Sequence, residues 1–419
     1  YHGGTHLPDL TVISPVFLKN PNMPTFFVAS RGHHADVGGI TPGSIPPNST
    51  HIDDEGVLFD GLQIAMGNTF FESDVASRLR QTKYPARDVP CNLSDLKAQI
   101  AANAKGASEL MALCEQWGDD VVSAYMAYVK HNAEASIREV LCTLRDGSAT
   151  IDMDTGDQIC VAVSINHDQK TARIDFSGTS AQNMSHNFNA PLAITHAAVL
   201  YVFRTLTKDI PLNSGCLAPL NIIVPPGTIL NPSYPAAVVA GNVETSQHVV
   251  DVLFQALGKL AGSQGTMNNL TFGNEIHQYY ETICGGSGAG DAFDGTDAIQ
   301  CHMTNSRITD PEILETRFPV MVEQFSIRRG SGGEGRFNGG NGALRAIRFN
   351  ESMTASIVSS HRRNVPRGLA GGENGTPGKN YLRKSDGTIH TLKACDSILV
   401  SPGDTLIIET PGGGGFGKP

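Results

Sequence analysis

The sequence predicts an α+β fold of mixed β-sheets, with a helical hairpin in the first half and a β-rich C-terminal half. Residues 93–116 and 119–144 predict two helices joined at Gly118, and apolar residues recur at helical spacing in the second. After about residue 270 this spacing fades, and short β-type runs alternate with glycine-rich turns. The 45 glycines among 419 residues favour turns and loops over long helices.

The first ninety residues predict two extended segments followed by loops. Residues 7–30 hold both segments, with a turn at residues 19–22, KNPN. The second segment ends in the apolar run TFFVAS, which leads directly into residues 31–39, RGHHADVGG. A Gly/Pro-rich loop follows. Residues 51–55, HIDDE, are then expected to form a solvated acidic loop, although they could also supply a carboxylate to a site.

The remaining elements are shorter. Residues 161–166 and 171–176 predict a β-hairpin that turns at Asp168 and Gln169. Residues 190–206 and 246–260 predict helices, the second capped by Thr245 or Ser246. Further strands are expected at residues 320–327, 343–349, 354–358 and 405–409. The chain therefore divides into site loops (1–90), the helical hairpin (91–145), a mixed α/β part (146–270) and a β-rich part (271–419).

Composition excludes several classes of function. A net charge of −10 argues against a nucleic-acid partner or an anionic membrane surface. No apolar run reaches the roughly 18–20 residues that span a bilayer. The eight cysteines contain no C-x-x-C pair, so we expect reduced thiols in a cytoplasmic protein. The chain opens at Tyr1, almost inside a motif, and we expect a fragment of a longer protein.

Residues 3–9, GGTHLPD, contain the first candidate metal ligands, His6 and Asp9. Imidazole nitrogen and carboxylate oxygen are ligands that divalent metals accept. Pro8 disfavours a helix, and a straight strand would point the two side chains to opposite faces. A turn at residues 7–8 would instead let both face one ion.

The segment RGHHADVGG adds His33, His34 and Asp36. Adjacent residues of an extended chain point opposite ways, so we do not expect both histidines to bind the same ion. His34 and Asp36, two residues apart, would share a face. One histidine then binds the metal while the other orients substrate or transfers a proton. The alternative is a loop held by ordinary histidine hydrogen bonds.

Two glycine-rich segments and two arginine-containing segments complete the candidates. Residues 285–290 and 412–415 could line an anionic ligand with backbone, but tight turns and close packing are favoured. Neither is a Walker A loop, and no motif of this chain binds ATP by itself. Residues 302–307, HMTNSR, and 359–363, SSHRR, carry groups suited to binding a carboxylate, with structural salt bridges as the alternative.

Six ordered segments resemble the hydantoinase B family: residues 1–9, 30–39, 187–193, 280–290, 302–305 and 412–417. Within that family, residues 40–49 are most similar to the C-terminal half of ATP-dependent 5-oxoprolinases. The resemblance implies opening of the lactam of 5-oxo-L-proline, a small cyclic amide, to L-glutamate, coupled to ATP hydrolysis. It also implies that a hydantoinase-A-like ATPase region or subunit, and not this chain, binds ATP. A homo-oligomer is expected.

The resemblance also implies a ligand set. In related acetone carboxylases, two histidines and one aspartate of these motifs hold a divalent metal. Carried over, the metal ligands are His6, Asp9 and His34, with His33 as the alternative third ligand, and His33 and Asp36 are the catalytic residues. A Mg, Mn or Zn ion would lower the pKa of a water or polarise the amide oxygen. The alternatives are a hydantoinase, an acetone- or acetophenone-carboxylase-type subunit, or a non-catalytic scaffold for the ATPase part.

Overall fold

Helices and strands are mixed through most of the chain, which confirms the predicted α+β class. The computed structural model describes residues 1, 3–19, 22–67, 69–208 and 210–419. The turn predicted at residues 19–22 contains Asn20 and Pro21, which lie outside the described residues. Among the residues described, no helix combines the length and the apolar character that crossing a membrane requires.

An antiparallel hairpin opens the fold. Strand β1 (Asp9–Val16) pairs with strand β2 (Phe26–His33), and the two correspond to the extended segments predicted in residues 7–30. The register places Asp9 opposite His33. Two short strands and a helix come next: β3 (Ala65–Met66), β4 (Thr69–Phe70) and α1 (Glu72–Arg80).

The predicted helical hairpin follows. Helix α2 (Val89–Trp117) and helix α3 (Asp119–Leu141) meet at Gly118, whose φ of 86° is left-handed and suits glycine. Helix α2 begins earlier than predicted because Asp88 caps it, with its side chain accepting a hydrogen bond from the N–H of Cys91.

Polar side chains of α2 hold the β1–β2 hairpin in place. Gln99 Nε2 donates to the carbonyls of Leu10 and Ser30, at 2.9 Å and 3.2 Å. Asn103 Nδ2 donates to the carbonyl of Val12 at 2.9 Å. Both amides are buried, where a lost hydrogen bond is costly. The helix thereby fixes the end of the hairpin that carries the candidate ligands.

A four-stranded sheet and two helices form the middle of the chain. Their bounds are β5 (Gly147–Asp152), β6 (Gln158–Asn166), β7 (Thr171–Asp175), α4 (Leu192–Thr205), β8 (Leu220–Ile223) and α5 (Ser246–Ala256). The sheet runs β5-β6-β7-β8, with β7 and β8 parallel, and β6–β7 is the predicted hairpin. Apolar residues of α3, α4, α5 and this sheet form one core.

The start of α5 differs from the prediction. Residues Gly241–Thr245 form a π-helical turn that continues directly into α5, so neither Thr245 nor Ser246 caps the helix with its side chain. Thr245 Oγ1 donates instead to the carbonyl of Phe188, and Ser246 Oγ donates to the carbonyl of Asn242. Such π turns are rare and are frequent at functional sites.

The C-terminal part is β-rich, as predicted, and contains two packed sheets. Its elements are β9 (Asn269–Gly273), β10 (Gln278–Thr282), α6 (Pro311–Arg317), β11 (Val320–Arg328), β12 (Gly342–Phe349), β13 (Met353–Val358), β14 (Lys379–Arg383), β15 (Ile389–Leu392), β16 (Cys395–Val400) and β17 (Thr405–Glu409). The sheets run β10-β9-β13-β16 and β11-β12-β17-β14-β15. Phe272 of one sheet and Phe349 of the other belong to the core between them.

The two glycine-rich segments pack closely against each other and their neighbours. The N–H of Gly286 donates to the carbonyl of Pro411, and the N–H of Gly413 donates to the carbonyl of Gly340. A Cβ added to Gly413 would lie 1.9 Å from the carbonyl oxygen of Ser287. Close backbone packing therefore accounts for these glycines.

Candidate metal centre

The register of the β1–β2 hairpin brings two candidate ligands together. Asp9 begins β1, His33 ends β2, and the two residues are directly opposite. Opposite side chains of an antiparallel pair lie on one face, with Cβ atoms about 5 Å apart. The strand alternation turns the next residue, His34, to the other face.

A turn adds His6 to this pair. The N–H of Asp9 donates to the carbonyl of His6 at 3.2 Å, and residues 7 and 8 occupy the turn, as predicted. Nε2 of His6 lies 3.2 Å from Oδ2 of Asp9. One potential ligand atom from each of His6, Asp9 and His33 lies within 4.8 Å of the other two. These three residues form what we call the His–Asp–His cluster.

Two polar side chains support the cluster. Thr5 Oγ1 donates to Oδ2 of Asp9 at 3.1 Å. Asn242 Nδ2 lies 3.5 Å from the same oxygen and 3.2 Å from Nε2 of His6. Asn242 belongs to the π-helical turn before α5, and 236 positions separate it from His6. No local sequence pattern links residues so far apart, and Asn242 is therefore not predicted from the sequence.

The charges of the cluster are shifted by its surroundings. Burial raises the pKa of Asp9, but the hydrogen bond and charge of His6 and the charge of His33 outweigh burial and hold this pKa well below its usual range. His33 is partly exposed to solvent. Burial of the rest of its ring among protein atoms lowers the pKa of His33 to about 4, and the charge of His6 contributes to this shift. A neutral imidazole and an ionised carboxylate are the forms that bind a metal.

A series of contacts leads from the exposed His33 into the core. The ring of Tyr280 stacks on His33, with centroids 5.1 Å apart and planes 11° from parallel. The hydroxyl of Tyr280 donates to Oδ1 of Asn269 at 2.9 Å, and Nδ2 of Asn269 donates to Oε1 of Glu244 at 2.7 Å. Burial raises the pKa of Glu244 to about 8. This series of contacts fixes the orientation of the His33 ring.

His34, the expected third ligand, is not brought to the cluster. Its side chain is buried, with Nδ1 3.0 Å from Nδ2 of Asn92 and Nε2 3.2 Å from Oε1 of Gln99. Both ring nitrogens therefore have partners on α2. The structure places His33, the alternative third ligand, beside Asp9 instead.

Asp36, expected to be catalytic, also lies in a different setting. Its carboxylate is buried and accepts hydrogen bonds from Nη1 of Arg87 and from the backbone N–H groups of Arg87, Gly38 and Gly43. These four donors make Asp36 an anchor for the Gly/Pro-rich loop. These contacts do not support the expected role of Asp36 in proton transfer.

One residue of the acidic segment is not solvated, in contrast to the expectation. Glu55 is fully buried and accepts hydrogen bonds from the N–H groups of Val238 and Val239 and from Ser49 Oγ. Burial raises the pKa of Glu55 to about 8. Because residues 238–239 lead into the π-helical turn, Glu55 helps to position Asn242.

The donor set of the cluster fits a divalent metal ion. Two imidazoles and one carboxylate are a common protein ligand set. Ligand atoms about 2.1 Å from one ion, and about 90–110° apart around it, lie roughly 3.0–3.4 Å from each other, which matches the 3.2 Å between His6 and Asp9.

Comparison with known proteins covers the whole chain. The family model described as Hydantoinase B/oxoprolinase matches residues 1–419. The chain is 48% identical to 5-oxoprolinase of Dictyostelium discoideum, over 99% of this chain and 33% of that protein. It is also 48% identical to 5-oxoprolinase 1 of Arabidopsis thaliana, over 99% of this chain and 35% of that protein. The chain thus spans about a third of the length of these relatives.

Solved structures share the fold. An ATP-dependent caprolactamase from Pseudomonas jessenii matches with a TM-score of 0.86 at 24% identity, over 99% of this chain and 75% of that chain. A nucleotide-free acetone carboxylase matches with a TM-score of 0.83 at 19% identity, over 99% of this chain and 63% of that chain. With the family match over every residue, the chain belongs to the hydantoinase B/oxoprolinase family.

Proposed function

We propose that this chain is the lactam-hydrolysing part of an ATP-dependent 5-oxoprolinase, which opens 5-oxo-L-proline to L-glutamate. The identity of 48% to two 5-oxoprolinases over nearly the whole chain supports the substrate. The observation that carries the proposed chemistry is the His–Asp–His cluster, in which strand register and a turn hold two imidazoles and a carboxylate together.

We assign a divalent metal ion, Mg, Mn or Zn, to His6, Asp9 and His33. Such an ion supplies Lewis-acid chemistry, since it polarises a carbonyl oxygen or lowers the pKa of a bound water. His33 is the exposed member of the cluster, so a small cyclic amide can approach from its side. The amide of Asn242, which lies 3.5 Å from Oδ2 of Asp9, and the ring of Tyr280, which stacks on His33, would hold these two ligand side chains in one orientation, as the supporting groups of metal sites do.

The remaining parts of the reaction are assigned outside this chain. An unstrained amide resists attack by water, so coupling to ATP hydrolysis supplies the driving force for ring opening. We assign ATP binding to a hydantoinase-A-like ATPase region, because the 5-oxoprolinase relatives are about three times as long as the part that matches here.

The test uses the full-length protein and its variants His6→Ala and His33→Ala. Bound metal is measured by inductively coupled plasma mass spectrometry, and L-glutamate formation from 5-oxo-L-proline is measured with and without ATP. We expect both variants to lose the metal and more than about 100-fold of the activity, since loss of a mere supporting group costs 10–100-fold. His390→Ala, which removes an exposed histidine on β15, is the matched control.

Two outcomes would contradict different parts of the proposal. Full activity and full metal content in both variants would refute the metal assignment. A wild-type protein that opens another cyclic amide, such as a hydantoin, but forms no L-glutamate from 5-oxo-L-proline would refute the substrate assignment.

A further inference from the structure

The face of the β1–β2 hairpin that carries the cluster also carries an arginine. Thr11 and Arg31 form the cross-strand pair two residues from Asp9 and His33. Alternate residues of a strand point to the same face, so the side chains of Thr11 and Arg31 share a face with the cluster. Both residues are exposed, as His33 is. Strands β1 and β2 contain no other arginine and no lysine, so Arg31 supplies the permanent positive charge of this hairpin.

A cross-strand hydrogen bond holds the guanidinium of Arg31. Its Nε donates to Oγ1 of Thr11 at 2.9 Å, so the side chain runs across the hairpin. Nη1 and Nη2 have no hydrogen-bond or ion-pair partner among the described residues. A guanidinium binds a carboxylate through two parallel N–H donors, and the edge formed by Nη1 and Nη2 provides such a pair. Arg31 is therefore held in place with one carboxylate-binding edge free.

The distance from the cluster to this edge fits the proposed substrate. In 5-oxo-L-proline three bonds of about 1.3–1.5 Å join the lactam carbon to the carboxylate carbon, so these carbons lie at most about 4 Å apart. An ion lies about 3 Å from the carbon of a carbonyl that it polarises, and a guanidinium carbon about 4 Å from that of a bound carboxylate. The substrate can thus span up to about 11 Å. Thr11, which holds the guanidinium, is two residues or about 7 Å along the strand from Asp9.

Two arginines of the segments SSHRR and HMTNSR are less well placed. The guanidinium of Arg362 is taken up by hydrogen bonds within the fold, among them one to Asn380. Arg307 follows Ser306, whose hydroxyl lies 2.7 Å from that of Thr282 on β10, the strand that also stacks a tyrosine ring on the cluster. The side chain of Arg307 is exposed, and no contact with another described residue fixes it. Arg307 is therefore the rival to Arg31.

We propose that Arg31 binds the carboxylate of 5-oxo-L-proline and thereby turns the lactam carbonyl toward the cluster. Nη1 and Nη2 donate to the two carboxylate oxygens, while Thr11 keeps its hydrogen bond from Nε. The small ring lies between Arg31 and the exposed His33. This inference rests on the proposed function and adds a specificity-determining residue to it, since a lactam without a carboxylate does not make this contact.

The test compares the KM of the full-length wild type and Arg31→Met for ATP-dependent formation of L-glutamate from 5-oxo-L-proline. We expect KM to rise at least about tenfold, the effect of losing hydrogen bonds to a charged group, while the metal content, measured by mass spectrometry, stays unchanged. Arg31→Lys keeps the charge but not the paired donors, and should raise KM less than Arg31→Met does. Arg329→Met, at an exposed arginine in the turn after β11, is the matched control and should change KM by no more than about twofold.

An uncharged analogue separates carboxylate binding from a general disturbance of the site. In 5-oxo-L-prolinamide a neutral amide replaces the carboxylate, so the analogue does not use the charge of Arg31. Its inhibition constant against 5-oxo-L-proline should therefore be the same, within about twofold, for the wild type and Arg31→Met. Circular dichroism shows that the variants are folded, which we expect because Arg31 is exposed.

Three results would overturn the assignment of Arg31 while leaving the proposed function intact. The first is an unchanged KM in Arg31→Met. The second is an equal loss of affinity for 5-oxo-L-proline and for its amide. The third is a rise in KM in Arg307→Met that Arg31→Met does not share. A wild type that forms no L-glutamate from 5-oxo-L-proline would instead refute the proposed function, and this inference with it.

Discussion

Replacing His34 by alanine separates the buried histidine from the proposed metal ligand His33. The His34 side chain is 1% exposed, and its two ring nitrogens lie 3.0 Å from the amide of Asn92 and 3.2 Å from the amide of Gln99. His34→Ala leaves both amides short of a partner in the interior. Each unsatisfied buried group costs about 1–3 kcal/mol, so for the two amides we expect the free energy of unfolding to fall by about 2–6 kcal/mol.

Urea unfolding followed by circular dichroism measures this loss, and mass spectrometry measures the metal content of the folded protein. His34→Ala should be less stable but retain the metal. His33→Ala removes a ring that stacks on Tyr280, so it should lower the free energy of unfolding by about 1 kcal/mol, less than His34→Ala does, and should lose the metal. The reasoning is refuted if His34→Ala keeps its stability but loses the metal, or if His33→Ala keeps the metal.

Three further tests address the supporting structure. Arg345→Met leaves the buried carboxylate of Glu281 without its ion-pair partner, so the free energy of unfolding, measured in urea, should fall by about 3–5 kcal/mol. As the control, Arg173→Met removes an exposed ion pair and should lower the free energy of unfolding by less than about 1 kcal/mol. Asn242→Ala should weaken metal binding, measured by competition with a chelator, by about 10–100-fold. Burial raises the pKa of Glu55 to about 8. The protonated Glu55 side chain therefore stabilises the folded state fully below its ordinary pKa, and this stabilisation is lost as the pH rises through about 8. Glu55→Gln should accordingly flatten the decline of Tm between about pH 5 and pH 9.

Local pattern predicts much of the fold. The helical hairpin follows from apolar spacing and from Gly118, and the β6–β7 hairpin follows from alternation around Asp168. Strands β14, β15 and β16 are not predicted, because polar and charged residues interrupt their apolar alternation. Their pairing depends on neighbours that are distant in the chain.

The candidate site is predictable only in part. The two short segments predict His6 and Asp9 as ligands and predict that one of two adjacent histidines joins them. Which histidine does so depends on the β1–β2 register and on the contacts of α2, such as the hydrogen bonds of Gln99 to both strands. Asn242 reaches the cluster only through tertiary folding, so no sequence pattern indicates it.

The central claim is that His6, Asp9 and His33 bind one divalent metal ion, and anomalous diffraction from crystals of the full-length protein grown with Mn²⁺ or Zn²⁺ tests it most directly. We predict one anomalous peak within about 2.0–2.3 Å of a nitrogen of each histidine and an oxygen of Asp9. A metal peak bound by His34, or a metal bound elsewhere with none at the His–Asp–His cluster, would contradict the claim.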